Sequence, residues 1–236
     1  LPVSAEMAFS RLRNEKFDKI IVDEAQDLIT KRYLSVFDKC ISGGLSHGRW
    51  TFFGDFSQQA IFSKYLSGEQ MKDMIEDRTS FIRFKLTINC RNTRTICDEI
   101  SIITDFKAPS DVWSKVDGIP VQYLTYSTPE EEKMRLTDTI RSLMDNHISP
   151  KKISILSPKK RENSIVSEID EYEIKEYKTF GNNKLSFCTI QAFKGLENQF
   201  ILFIGPENYI ATNQNQKKVI FNAFTRAKYQ FIYFMN

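Results

Sequence analysis

The sequence is poor in the residues that bind metals and build disulfides. Its 236 residues include four cysteines, with no CxxC spacing among them, and two isolated histidines. A structural zinc site needs closely spaced cysteine and histidine ligands, so this pattern argues against one. Cys40, Cys90, Cys97 and Cys188 form no disulfide framework, which fits a reducing, cytoplasmic setting. No apolar run reaches the ~18 residues of a membrane span, and no signal peptide is visible, so no membrane role is expected. The net charge is only +3, so any affinity for nucleic acid must come from local patches. Glycine is sparse too: there are nine, and none opens the GxxxxGK[ST] pattern of a phosphate-binding loop. The nearest approaches, "SKYLSGEQMKD" and "TFGNNKLS", fail at the Gly-Lys step.

What is present is an ordinary globular composition, 41% apolar and 27% charged, arranged as alternating strand-like and helix-like segments. "SAEMAFSRLR" reads as a helix capped by Ser4, and "KIIVD" as a short strand. "ITKRYLSVFDKCI" has helical periodicity and runs to Gly43-Gly44, and "WTFFGD" is a second strand ending in an acid. "GEQMKDMIEDR" is helical, "FIRFKLTI" a strand, and "TRTICDEISIITDF" a helix stopped near Pro109. "VQYLTY", "KISIL", "SFCTI", "FILFIG" and "QFIYF" are further strands, and "KKVIFNAFTRAK" is a helix. The clearest helix follows Thr128, with Pro129 at its first position and Glu131 placed to complete a capping box. Alternation of this kind predicts an α/β fold with parallel sheets covered by helices on both faces. The expected boundary divides residues 1–88 from residues 89–236.

Several stretches carry chemistry. "IIVDEAQD" ends an apolar strand in carboxylates. In open α/β sheets the carboxyl ends of parallel strands border the ligand crevice. Asp23 there could hold Mg²⁺ through its water shell, and Glu24 could orient or deprotonate an attacking water. The alternative is an acidic loop that merely caps the next helix. "FFGDFSQQAIF" is a second strand ending in Gly-Asp and glutamines, "LTINCRNTRTI" places Asn89 and Arg91 at the expected boundary, "TIQAFKGLENQFILFIG" places Lys194, Gly195 and Glu197 between two strands, and "FNAFTRA" puts Thr225 and Arg226 on a helix.

These five stretches, in this order, resemble motifs II to VI of the superfamily 1 helicases of the UvrD/Rep type, over most of the chain. The resemblance implies a RecA-like fold, with the C-terminal part of a first RecA-like domain in residues 1–88 and a second in residues 89–236. It implies ATP and Mg²⁺ as cofactors and single-stranded DNA as partner, with RNA left open. Asp23 and Glu24 would form the metal site, with Glu24 the catalytic carboxylate. Gln26 would touch the phosphate end. Gln58 or Gln59 would be the glutamine that senses the γ-phosphate; counting from Gly54-Asp55 selects the first, counting back from "AIF" the second. Arg91 and Arg226 would reach the γ-phosphate from the second domain, where a planar guanidinium suits phosphate oxygens. Gly195 and Glu197 would lie against the nucleotide, with Glu197 on the ribose. Members of the family carry the phosphate-binding loop well before motif II, so the expectation is a segment of the same polypeptide upstream of Leu1 that supplies it. The spacing of about a hundred residues between motifs IV and V, counted on the sequence, leaves no room for the large insertion of UvrD and Rep. Residues 1–236 alone are therefore expected to be an inactive part of an ATP-dependent DNA helicase; a non-catalytic nucleic-acid scaffold is the alternative.

Single strands are bound by basic grooves and aromatic platforms. Phe62, Lys64 and Tyr65 follow motif III, where the family stacks bases. "SPKKREN" supplies Lys159, Lys160 and Arg161 after a strand; without the family context it reads equally as a solvated charge cluster. Thr189 and Gln191 open motif V, where the family has a histidine on DNA.

Overall fold

A computed structural model describes residues 2–11, 16–56, 66–106, 111–177, 183–205 and 214–236. The chain separates into two compact units, residues 1–85 and 86–236. In the first, a helix α1 (Pro2–Arg11) precedes strand β1 (Lys19–Val22), helix α2 (Lys31–Cys40), a single turn α3 (Gly44–His47), strand β2 (Arg49–Phe52) and helix α4 (Gly68–Glu76). β1 and β2 are parallel neighbours, with Val22 opposite Phe52. Their ladder continues one step further: Phe53 N–H donates to Val22 O and Ala25 N–H to Phe53 O, both at 2.8 Å. The core beneath gathers Val22, Ala25, Ile29, Leu34, Ile41, Leu45, Met71 and Ile75, with Trp50 and Phe52 packed against it. Thr30 caps α2 by accepting from Tyr33 N–H, and Ser67 and Gln70 form a reciprocal capping box on α4.

The second unit opens with a short parallel pair, β3 (Ile88–Asn89) and β4 (Asp111–Val112), flanking helix α5 (Arg94–Thr104). Then come β5 (Gln122–Thr125), α6 (Pro129–Asp145), β6 (Ile153–Ser157), β7 (Ile174–Glu176), β8 (Leu185–Thr189), β9 (Asn198–Phe203), α7 (Gln214–Phe224) and β10 (Ala227–Met235). Six of these strands make one parallel sheet in the order β5-β10-β9-β6-β8-β7. Successive strand residues face opposite ways. Ile201, Phe203, Phe231 and Tyr233 pack with α5 and α7, whereas Phe200, Leu202, Ile232 and Phe234 pack with α6. The sheet is thus covered on both faces, the α/β layering that the alternation of segments predicts.

Local expectations differ at four places. α1 begins at Pro2, so Ser4 lies inside the first turn rather than capping it; proline's fixed φ suits a first helical position. α2 ends at Cys40, before the glycines, because Ile41 turns extended and bonds into the core. On α6, Thr128 caps as expected, but the Glu131 carboxylate accepts from Ser127 N–H, one residue further out. "FIRFKLTI" is a strand only at Ile88–Asn89. Its period-two apolar pattern is intact, yet Ile82, Phe84 and Leu86 are exposed at 81%, 89% and 83%. Among the described residues no strand pairs with Ile82–Thr87, so propensity alone makes no sheet there. No helix of the described residues is long and apolar enough to cross a membrane.

Candidate functional site

In the first unit the strand ends place Asp23, Glu24 and Asp55 side by side, since β1 and β2 run in register. Gln26 ties them together. Its side chain is buried, its Nε2 donates to Glu24 Oε2 at 2.5 Å, and its Oε1 accepts from Asp55 N–H at 3.2 Å. Only this amide orientation works, because a carboxylate can only accept and an N–H can only donate. Gly54 is required by the same contact: a Cβ there would lie 2.5 Å from Gln26 Oε1. Glu24 sits at φ 51, in the left-handed region, which a non-glycine residue adopts at a cost. That backbone turn carries the chain from β1 into the 3₁₀ turn Ala25–Asp27 and leaves Glu24 half-buried at the strand end.

Asp23 is exposed, and one of its oxygens accepts from Glu24 N–H at 2.9 Å. Among the described residues no group of three His, Cys, Asp or Glu side chains could hold a metal ion. A self-contained metal cage is therefore absent from them. Mg²⁺ of a nucleotide needs less, one or two carboxylates with the phosphates and waters completing its octahedron. Asp23 and Glu24 fit that sparse mode.

In the second unit, residues far apart in sequence converge at the amino-terminal edge of the sheet. Asn89 Oδ1 accepts from the N–H groups of Arg91 and Asn92, folding the turn after β3. Asn92 is buried and its Nδ2 donates to Ala227 O at 2.6 Å, anchoring that turn to the start of β10. Arg91 Nε then donates to Glu197 Oε2 at 2.6 Å, just before β9. Lys228 Nζ holds the other oxygen, Oε1, at 2.7 Å. These two cations, Lys228 first, keep the Glu197 carboxyl below its ordinary range. Gly195 adopts φ +79, and nothing would obstruct a Cβ there, so the backbone sign rather than space calls for glycine.

Arg226 departs from the expectation of a projecting arginine. Its side chain is 2% exposed, with long contacts of 3.5 Å to Leu196 O and Asn222 Oδ1. The cause is its position between α7 and β10, where the chain turns directly into the sheet and the guanidinium lies under the segment that carries Glu197. Arg91, with its side chain 34% exposed, is the outward-facing member of the pair.

The basic loop lies at the opposite edge. β6 and β8 are neighbours with Ser157 opposite Thr189, so Lys159–Arg161 and Gln191 leave the sheet together at its carboxyl edge. The sheet between the two edges is six residues long at β9, about 20 Å. Residues 189–197 run from one edge to the other. Within the loop, Lys160 is exposed, but Arg161 Nη1 donates to Ile174 O at 2.5 Å, tying it to β7. Thr189 Oγ1 accepts from Ala192 N–H at 3.3 Å, and Gln191 is exposed. Gln58, Gln59, Phe62, Lys64 and Tyr65 lie outside the described residues.

Sequence reasoning overlooked Lys228 and Asn92, both of which hold the Arg91–Glu197 cluster together. Lys228 follows Arg226 by two, so the signal was present in "TRAK". Glu132 was read only as part of an acidic first turn. It is instead buried at the carboxyl edge, where its Oε1 accepts from Gly205 N–H at 3.0 Å.

The second unit's architecture has counterparts among solved structures. The C-terminal domain of a possible DNA helicase from Lactobacillus plantarum WCFS1 is similar at TM-score 0.50 and 9% identity, over 62% of this chain and 86% of that one. The fold is accordingly of the RecA-like kind. The helicase of PRRSV aligns at TM-score 0.44 and 14% identity, over 91% of this chain and 34% of that one. No protein-family model and no curated relative matches the sequence.

Proposed function

We propose that the chain belongs to a UvrD-like, nucleic-acid-dependent ATPase of the cytoplasm that couples ATP hydrolysis to movement on single-stranded DNA. The observation that carries this reading is the convergence of Arg91, Glu197 and Lys228, from three separate stretches, on one carboxylate-centred cluster. A surface ion pair needs neither the buried Asn92 anchor nor a buried second arginine behind it. Residues 1–88 would be the C-terminal part of the first RecA-like domain and 89–236 the second.

Phosphoryl transfer asks the protein mainly for positioning and charge stabilisation. Glu24 would accept the proton as water attacks the γ-phosphorus. The bond to the β–γ bridging oxygen breaks, and ADP and phosphate leave. Gln26 would hold the Glu24 carboxylate in place through the bond described above. Mg²⁺ at Asp23 would neutralise charge on the phosphates. Arg91 would meet the γ-phosphate, exchanging Glu197 for a more highly charged anion. Arg226 would have to leave its buried position to do the same, or would act through the backbone of Leu196. Lys159 and Lys160 would lie along the nucleic-acid backbone at the other edge, with Gln191 beside them. The strip 189–197 would link the two edges.

The 236 residues hold no GxxxxGK loop, so the backbone N–H cradle and the lysine for the phosphates must come from another segment of the polypeptide. Alone, this chain should bind single-stranded DNA in a salt-sensitive way and release no phosphate. The test is fluorescence anisotropy of labelled oligothymidylate across a salt series, with a phosphate-release assay on the same samples. Affinity should fall steeply with salt, and Lys159→Ala with Lys160→Ala should flatten the slope. Absence of binding at low salt overturns the nucleic-acid reading. DNA-stimulated release that vanishes in Glu24→Gln overturns the need for a separate loop.

A further inference from the structure

Trp113 is 70% exposed, although tryptophan offers more apolar surface to bury than any other side chain. It follows β4 immediately, and the loop that presents it is fixed at several points. Trp113 N–H donates to Asn89 O at 2.8 Å. Ser114 Oγ donates to Val116 O at 3.0 Å and accepts from Val116 N–H at 3.3 Å. The N–H and hydroxyl of Thr95 both donate to Asp117 O. Gly118, at φ +88, lies so close to α5 that a Cβ would sit 2.3 Å from Thr93 Oγ1. A loop held this firmly, with an indole facing outward, is a preformed surface and not a slack connection. Val116 and Ile119 on the same loop are exposed too, at 56% and 37%.

The anchor decides the occupant. Asn89 receives the Trp113 N–H on its carbonyl and, through its side chain, builds the turn that aims Arg91 at Glu197. The indole is therefore held to the cation cluster by one residue's backbone and side chain. The basic loop Lys159–Arg161 belongs to the opposite edge of the sheet. A ligand that brings an anionic end to Arg91 and Lys228 and a flat aromatic end to Trp113 is a nucleotide. We infer that Trp113 is a stacking platform for the nucleobase of a nucleoside di- or triphosphate whose phosphates meet Arg91. This rests on the reading of Arg91 and Glu197 as nucleotide-facing.

The test uses the two tryptophan indole N–H resonances in ¹H–¹⁵N spectra of the whole chain, which report weak binding at millimolar ligand. Trp113→Phe assigns the Trp113 signal, since Trp50 packs against Phe52 and Phe81 in the first unit. ADP and ATP should shift the Trp113 indole upfield in a saturable way. Inorganic tripolyphosphate should shift the Arg91 Nε–H but leave the indole in place. Trp113→Ala should weaken ADP binding, followed at Arg91, by roughly 5-fold or more while leaving tripolyphosphate affinity unchanged. Equal responses of the indole to ADP and tripolyphosphate, or unchanged ADP affinity in Trp113→Ala, overturn the inference. So does a response to oligothymidylate without one to ADP, which assigns the indole to a nucleic-acid strand. If tripolyphosphate perturbs Arg91 and ADP binds no better, only the stacking platform fails. If neither ligand perturbs Arg91, the nucleotide reading of the cluster fails with it.

Discussion

The two units treat the same strand-and-acid grammar differently. The second completes its sheet: six parallel strands carry apolar residues on both faces, and helices cover each face. Phe224, Phe231 and Tyr233 form an aromatic stack inside, with Phe224 and Phe231 centroids 3.8 Å apart. The first unit has two paired strands among its described residues and one smaller core. Ile21 on β1 is 62% exposed and Phe53 beyond β2 is 49% exposed. An apolar residue left facing water forgoes roughly 1.5–3 kcal/mol of burial. The comparison teaches that function and stability are distributed unequally. The first unit offers the carboxylates on a thin scaffold, while the second holds its cations on a thick one.

The sharpest way to break this comparison is to delete core volume from each unit. Phe224→Ala should cost about 3–5 kcal/mol and Leu34→Ala about 2–5 kcal/mol. Both side chains are fully buried. Calorimetry should resolve two transitions, with the upper one lowered by Phe224→Ala and the lower one by Leu34→Ala. Hydrogen exchange should show the corresponding protection lost in one unit at a time. Transitions that move together in both variants would mean that the chain unfolds as one body and that the contrast drawn above is superficial.

A smaller effect separates two kinds of glycine. Gly54→Ala drives a methyl into the Gln26 carboxamide, so it should cost about 1–3 kcal/mol of first-unit stability and release Glu24 from its partner. Gly195→Ala meets open space but must hold φ +79, a left-handed conformation that costs roughly 1–2 kcal/mol. A crystal structure or side-chain amide spectra should show Gln26 displaced in the first variant, with the Arg91–Glu197 pair unchanged in the second. If Gln26 keeps both bonds in Gly54→Ala, the close approach is not what demands glycine there.

How far the sequence speaks follows the same divide. The strands of the second unit were legible because apolar runs such as "KISIL" and "FILFIG" are bounded by polar turns, and their partners lie in the same chain. "FIRFKLTI" carried an equally clear alternation, yet pairing is a property of two segments and its neighbour is not among the described residues. The acids after "KIIV" were legible as a strand-end pair, and β1 and β2 place them together. The bridge by Gln26 was not, since no pattern tells which of Asp55's groups a glutamine will meet. Arg91 and Arg226 look alike in sequence. Their exposures differ because one follows a two-residue strand at a turn and the other sits where a helix enters the sheet. Glu132 shows the same limit: three consecutive glutamates open α6, and only the helix's orientation decides that the third is buried.

Glu132 gives the smallest and most specific prediction, a pH dependence. It lies at the start of α6, beside Tyr126 after β5 and Gly205 after β9. Burial raises its pKa above the ordinary carboxylate value, and this outweighs the Tyr126 hydroxyl, the Gly205 N–H and the Lys159 charge, each of which favours the ionised form. A carboxyl whose folded pKa is raised binds more protons folded than unfolded between its two pKa values. Its contribution is therefore fully present below the unfolded value, about 4.3, and is lost as pH rises through the folded one. Glu132→Gln keeps an acceptor for both Tyr126 and Gly205 and cannot ionise. Relative to the native chain, second-unit stability in the variant should thus improve as pH rises from about 4 toward neutrality, by no more than about 1–2 kcal/mol. Glu197 titrates in the opposite sense, since its partners lower its pKa: its contribution is present above the unfolded value and fades in acid. It is common to both proteins and cancels in their difference. Urea unfolding of the two chains at matched pH values gives that difference directly. A flat difference across the range would place Glu132 among ordinary solvated acids, and the burial of its carboxyl at the sheet's carboxyl edge would then have no electrostatic consequence.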